Sequence, residues 1–301
     1  MLGRDTLNAF RFTDKREQEV NVYLNGKFLP KAQATISVDD RGFLFGDGIY
    51  EVVRSYHGRL FELDAHVRRM QSGLQSLRIT IPDDFNLADI AHELLEQNNL
   101  QNAEATIYCQ ITRGTAPSRT HAFPVPPVAP TIYVAASPFT PLTEKRKIGI
   151  AAVTTPDLRW SRCDLKTIGL LANCLAKQQA FESGSFEAIF VRDGVALEGS
   201  SSNLFVVKDG IIITNPKTNY ILPGITRQVV LDLCRNLDIA IMETPVFLEL
   251  LFTADEVFVT HTTGEVMPVV KIDAREMSKG TPGPITRRLQ AAFTENVKSN
   301  P

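Results

Sequence analysis

Lys166, in "CDLKTIGLLANCLAKQQA" (163–180), has the side chain best suited to covalent chemistry in this 301-residue sequence. Leu165, Ile168 and Leu170 around it are apolar, and an ammonium group is almost never buried without a partner. Either the lysine snorkels from the start of a helix into water, or it is held in a pocket. There an amine can attack a carbonyl and form a Schiff base. Glu198 closes an apolar strand in "LEGSSSNLF" (197–205). It reads as a rim carboxylate capping the serine turn or as a buried carboxylate paired with a cation. "LPGITR" (222–227) sets Gly224, Ile225 and Thr226 at the start of a helix, where free N–H groups and the positive dipole end suit an anion. "THTTGE" (260–265) follows the strand "EVFVT" and offers hydroxyl donors, and Arg69 falls off the apolar stripe of its helix. Each has an ordinary reading: a capped helix, a polar turn, a solvated Arg68–Arg69 pair.

Taken together they match one chemistry. Pyridoxal 5′-phosphate needs a lysine for its aldehyde and a carboxylate to keep its pyridine nitrogen protonated. Its phosphate needs N–H, O–H and guanidinium donors.

The motifs "DDRGFLFGDGIYEVVRSYHGRLFELDAHVRRM" (39–70), "RWSRCDLKTIGLLANCLAKQQA" (159–180), "LEGSSSNLFVVKDG" (197–210), "ILPGITR" (221–227) and "THTTGEVMPVV" (260–270) resemble the fold-type IV pyridoxal-phosphate enzymes from about Val20 onward. These comprise D-amino acid aminotransferases, branched-chain aminotransferases and aminodeoxychorismate lyases. The resemblance implies that Lys166 carries the cofactor as an internal aldimine and moves the substrate proton, and that Glu198 pairs with the pyridinium nitrogen. It further implies that Arg69, Ile225, Thr226 and Thr262 hold the phosphate and that Leu222 packs on the ring. Tyr50 after the "GDG" turn, with Arg119 and His121 on the loop "APSRTHAFP", resembles the carboxylate trap of the D-amino acid enzymes, and Thr263 would face the substrate. A guanidinium grips a carboxylate bidentately, and imidazole and phenol add donors. His261 departs from the pattern, which leads one to expect a small residue such as serine there.

The implied activity is transamination of D-amino acids, D-alanine with 2-oxoglutarate giving pyruvate and D-glutamate, by a homodimer. The alternatives are a branched-chain L-amino acid aminotransferase, an aminodeoxychorismate lyase sharing Lys166 and Glu198, and a non-catalytic binder, against which Lys166 itself argues.

These residues need a scaffold of two parts. The expected class is α+β, since strands and helices mix without regular βαβ alternation. Residues 1–19 read as a charged extension with a short helix, 20–138 as a small α/β domain, and 139–301 as a large cofactor-binding domain. Asn25-Gly26 and His57-Gly58 mark hairpins, as do the Asp-Gly pairs at 193–194 and 209–210. Helices are expected from Leu63, Val67, Met70, Leu74 and Leu77 with Asp64 as N-cap, and over 86–98, from Lys166 to about Ser183, over 224–238 and over 284–298. Strands are expected at 104–112, 131–136 and 147–155, an irregular loop at 112–130, and a polar boundary segment at 137–147.

The net charge of −2 gives no case for nucleic acid or an anionic membrane. No apolar run would span a bilayer, and residues 1–20 lack a secretory pattern. Cys109, Cys163, Cys174 and Cys234 show no metal-ligand spacing and read as free thiols of a cytoplasmic protein.

Overall fold

The computed structural model describes residues 20–299. The charged extension expected at residues 1–19 lies outside them. The chain opens with β1 (Asn21–Leu24), β2 (Lys27–Pro30), α1 (Arg41–Phe45), β3 (Gly48–Tyr56), β4 (Arg59–Leu60), α2 (Leu63–Leu77), α3 (Leu87–Gln97), β5 (Glu104–Thr112) and β6 (Thr131–Pro138). It continues through α4 (Thr143–Ile148), β7 (Ile150–Pro156), α5 (Leu171–Glu182), β8 (Glu187–Arg192), β9 (Val195–Gly199), β10 (Asn203–Lys208), β11 (Ile211–Thr214) and α6 (Ile225–Asn236). It ends with β12 (Ile241–Glu243), α7 (Leu248–Thr253), β13 (Glu256–His261), β14 (Glu265–Ile272), β15 (Arg275–Glu276) and α8 (Pro284–Ser299).

The first group of strands forms an antiparallel sheet in the order β2-β1-β6-β5-β3-β4. Strand β5 alternates buried and half-buried residues, so that Ala105, Ile107, Cys109 and Ile111 meet Leu74, Leu94 and Leu95 of α2 and α3. The second sheet runs β12-β11-β10-β13-β14-β7-β8-β9, and β9 returns to β10 at the Glu198–Asn203 pair. Six of these strands, from β10 round to β9, therefore close into a ring with Glu198 at its seam. Mixed helices and sheets, largely antiparallel with parallel β7–β8, β7–β14 and β11–β12 pairs, make this an α+β protein.

The hairpins form where expected, with Asn25, His57, Asp193 and Asp209 at φ of 49–51° and glycine next in each turn. Three local expectations need correction. Asp64 lies in the first turn of α2, where its charge favours the dipole, and Glu62 occupies the N-cap position without capping the helix through its side chain. Within 137–147, α4 forms and stops at Gly149, where φ is +89° and a Cβ would meet Val270 Cγ1 at 2.4 Å. Strand β7 accordingly starts at Ile150. Lys166 does not open a helix, because α5 starts only at Leu171. Among the described residues no helix is long and apolar enough to cross a membrane.

Candidate active site

Lys166 is held in an extended segment that pairs with β3. Its carbonyl accepts from Tyr50 N at 3.0 Å, and Ile168 N donates to Gly48 O at 3.1 Å. The "GDG" turn permits this approach. Gly46 caps α1 at φ +67°, and a Cβ on Gly48 would stand 2.5 Å from Ile111 O and 3.2 Å from Ile168 Cδ1. Asp47 between them ties Arg41 and Arg113 together at 2.8 Å each. The Lys166 ammonium sits 4.0 Å from the centre of the Tyr50 ring, within cation–π range.

A cavity of about 540 Å³ opens there, within the ~300–1,000 Å³ usual for small-molecule sites. Lys166, Tyr50, Arg69, Glu198, Leu222, Ile225, Thr226, Thr262 and Thr263 all line it, although they come from distant parts of the chain.

Glu198 is buried at the seam of the ring. Its Oε1 accepts from Arg159 at 2.5 Å, and its Oε2 accepts from Asn203 Nδ2 and Leu222 N at 3.0 Å each. Burial pushes the carboxyl up to about 7, against the downward pull of the Arg159 guanidinium and the Leu222 amide. Arg159 is itself gripped by Asp157, which also pairs with Arg192. Charges therefore alternate along a chain from Arg192 to Glu198. The serine hydroxyls at 200–202 do not turn to Glu198. They donate to Glu187, with Ser202 Oγ at 2.8 Å from its Oε2.

Arg69 is not one of a solvated pair. Its Nε and Nη2 donate to the two oxygens of Glu51 at 2.7 Å each, and its Nη1 donates to Pro223 O at 3.1 Å. Glu51, 1% exposed, also meets His66 Nδ1 at 2.8 Å. Burial alone would raise the Glu51 carboxyl. The hydrogen bonds and charge of Arg69, with those of His66, hold it at about 2 instead. Burial drives His66 the other way, below the usual imidazole range. The bond to Pro223 places the guanidinium against the start of α6, whose N-cap Gly224 gives no side-chain bond.

This donor set fits the phosphate and ring of pyridoxal 5′-phosphate. The first-turn N–H groups of α6 have no carbonyl within their own helix, and the hydroxyl of Thr226 and the Arg69 guanidinium stand beside them on the cavity wall. Thr260 Oγ1, on the same wall, is buried without a hydrogen-bond partner. A Cβ on Gly224 would fall 2.0 Å from Asn203 Oδ1, so glycine is needed for Asn203 to bridge Glu198 and Leu222 O.

A family model for class IV aminotransferases matches residues 48–272. The chain belongs to the class IV aminotransferases. It is 43% identical over 279 residues to a D-alanine aminotransferase of Staphylococcus haemolyticus, covering 92% of this chain and 98% of that one. It is 39% identical to a D-alanine aminotransferase of Bacillus licheniformis, covering 93% and 98%. Among solved structures, the branched-chain amino acid aminotransferase of Escherichia coli superposes with a TM-score of 0.82 at 28% identity, covering 91% of this chain and 93% of that one. The T.th. branched-chain amino acid aminotransferase with pyridoxamine 5′-phosphate gives 0.83 at 29%, covering 93% and 95%.

Arg119 and His121 are the two expected site residues that do not line this aminotransferase's cavity. The reason is local. Arg41 donates to the carbonyls of Thr120, His121 and Ala122 and so pins the loop. Arg119 then lies 5.0 Å over the Phe45 ring, and His121 meets the same ring edge-on at 5.5 Å. Both side chains are exposed.

Glu51, His66, Arg159 and Asn203 were not singled out from the sequence. Their signals were present. Glu51 is an acid inside the apolar strand "IYEVVRSY", and His66 stands one helical turn before Arg69. Asn203 directly follows the serines, and Arg159 opens "RWSR".

Proposed function

We propose that this enzyme transaminates D-amino acids with pyridoxal 5′-phosphate, pairing D-alanine with 2-oxoglutarate, as a homodimer in the cytoplasm. The observation that carries the chemistry is the convergence of Lys166, Glu198 and the donor-rich start of α6 on one cavity. The preference for D substrates is supported by the identity to D-alanine aminotransferases over nearly the whole chain. A branched-chain L-amino acid aminotransferase is the second reading, favoured by the similarity to those solved structures.

The bound cofactor supplies an electron sink for the pair left when the α-proton departs. Lys166 would hold the cofactor and give up its place to the substrate amine. Its freed Nζ would accept the proton from the substrate Cα and deliver one to the cofactor carbon that comes to bear the amino group, and with a 2-oxo acid it would carry a proton the opposite way. Glu198, fixed by Arg159, Asn203 and Leu222, would pair with the ring nitrogen and keep it protonated. Arg69, the first-turn amides of α6, Thr226 and Thr262 would hold the phosphate, and Leu222 would pack on the ring.

Arg119 and His121 serve as the carboxylate trap of a second copy's cavity, a role that fits side chains that are exposed and do not line the cavity of their own chain. The exposed Val38 (72%), just before α1, and Phe43 (69%), within it, suit burial against that copy. In this reading the chain forms two domains, 20–138 and 139–301.

The test is turnover of D-alanine, L-alanine and L-leucine by one preparation. D-alanine is expected to react far faster. A preference for L-leucine would replace this reading with the second.

A further inference from the structure

His261 ends β13 and lines the cavity, and the fold makes room for it. Gly264, in the following turn, does not have the left-handed backbone that calls for glycine. Space calls for it instead: a Cβ there would stand 2.0 Å from His261 Nε2 and 2.3 Å from Cε1. One edge of the imidazole therefore lies against residue 264. Beyond that Nε2 tip, Nδ1 meets Thr263 Oγ1 at 3.1 Å. Burial drives the ring down to about 4, with Glu187 pulling it up and Lys177 pushing it further down. The ring is neutral at working pH and carries a single N–H.

The place of that hydrogen decides what Thr263 can offer. With it on Nδ1, Thr263 Oγ1 accepts and its own hydrogen is free for the cavity. With it on Nε2, the hydroxyl is spent on the ring. An anionic oxygen in the cavity selects the first arrangement. We propose that His261, wedged on Gly264, is a positioning residue that holds the Thr263 hydroxyl as a donor to a carboxylate oxygen of the substrate. This rests on reading the cavity as an aminotransferase site, but not on which enantiomer reacts.

The experiment uses holoenzyme of the wild type, His261→Ser, His261→Asn, Thr263→Val, Gly264→Ala and the doubles that join His261→Ser to each of the last two. Three quantities are measured: cofactor dissociation by fluorescence, affinity for propionate as a non-reacting carboxylate, and KM for the amino acid that the wild type turns over. His261→Ser and Thr263→Val are each expected to weaken propionate binding and raise KM about three- to ten-fold, the effect of one hydrogen bond. Their double should be no worse than either single. Gly264→Ala should match His261→Ser alone and add nothing in its presence. His261→Asn, which keeps an N–H near the place of Nδ1, should recover much of the loss. Cofactor dissociation should stay within about two-fold.

Additive losses in the His261/Thr263 double, or harm from Gly264→Ala that persists without the imidazole, would overturn the proposal. So would a ten-fold loss of cofactor affinity in His261→Ser with propionate binding unchanged, which would make the ring a phosphate contact. A wild type that binds propionate but transaminates nothing would defeat the functional reading, while the binding arms would still decide the role of His261.

Discussion

Replacing Glu51 by glutamine should cost about 3 kcal/mol of stability at neutral pH, the order expected for breaking its buried pair with Arg69. Glu51 lies 1% exposed and takes both forks of Arg69 at 2.7 Å. Removing one member of a buried ion pair costs roughly 3–5 kcal/mol. Its carboxyl is held at about 2 against a usual 4.5, and at ~1.4 kcal/mol per pH unit that shift is worth about 3 kcal/mol. The sign follows from linkage. A depressed carboxylate contributes fully above its unfolded value near 4.5, and the contribution is lost as pH falls toward 2. Urea unfolding of the apoprotein from pH 7.5 downward should therefore show a wild-type acid limb that Glu51→Gln flattens. Because glutamine turns an amide N–H toward the guanidinium, Arg69 should also swing from Pro223 and weaken cofactor binding ten-fold or more. A loss below about 1 kcal/mol at pH 7.5 with the acid limb unchanged would refute Glu51 as the counter-ion of Arg69.

Borohydride reduction of holoenzyme followed by peptide mapping should place the pyridoxyl adduct on Lys166, and an adduct on Lys177 would sink the catalytic scheme. Glu198→Gln should retain cofactor but slow α-proton removal by orders of magnitude, read in single turnovers with deuterated substrate. The raised carboxyl of Glu198 has the opposite linkage to Glu51: the apoprotein should lose stability as pH rises from about 4.5 to about 7, and Glu198→Gln should abolish that slope. Arg119→Ala should raise KM for D-alanine by about ten-fold or more, the worth of a charge-assisted contact. Mixing that variant with Lys166→Ala should restore one good site per hybrid dimer, and no restoration would return Arg119 to its own subunit.

The helices and strands were legible because their signals are local. Apolar residues at helical spacing from Leu63 to Leu77 define α2, and the Asp-Gly pairs define the turns at 193–194 and 209–210. That Lys166 belongs to the cavity was legible too, since a lysine amid apolar neighbours needs an explanation that a surface lysine does not. The rest depended on pairings across the chain. Nothing near Glu51 announces that Arg69 will return to it through a helix, or that Arg159 and Asn203 will meet Glu198 at the closure of a ring. Buried charges are stabilised by partners within hydrogen-bond reach, and which residues come within reach is set by strand register and helix docking. The same reason explains Arg119 and His121. Their residue types suggest a carboxylate trap, but the carbonyl contacts of Arg41 fix where the loop projects. Sequence thus determined which chemical groups this enzyme has, and the tertiary structure decided which of them share a cavity, because the energy of bringing charged groups together is set by distance and burial.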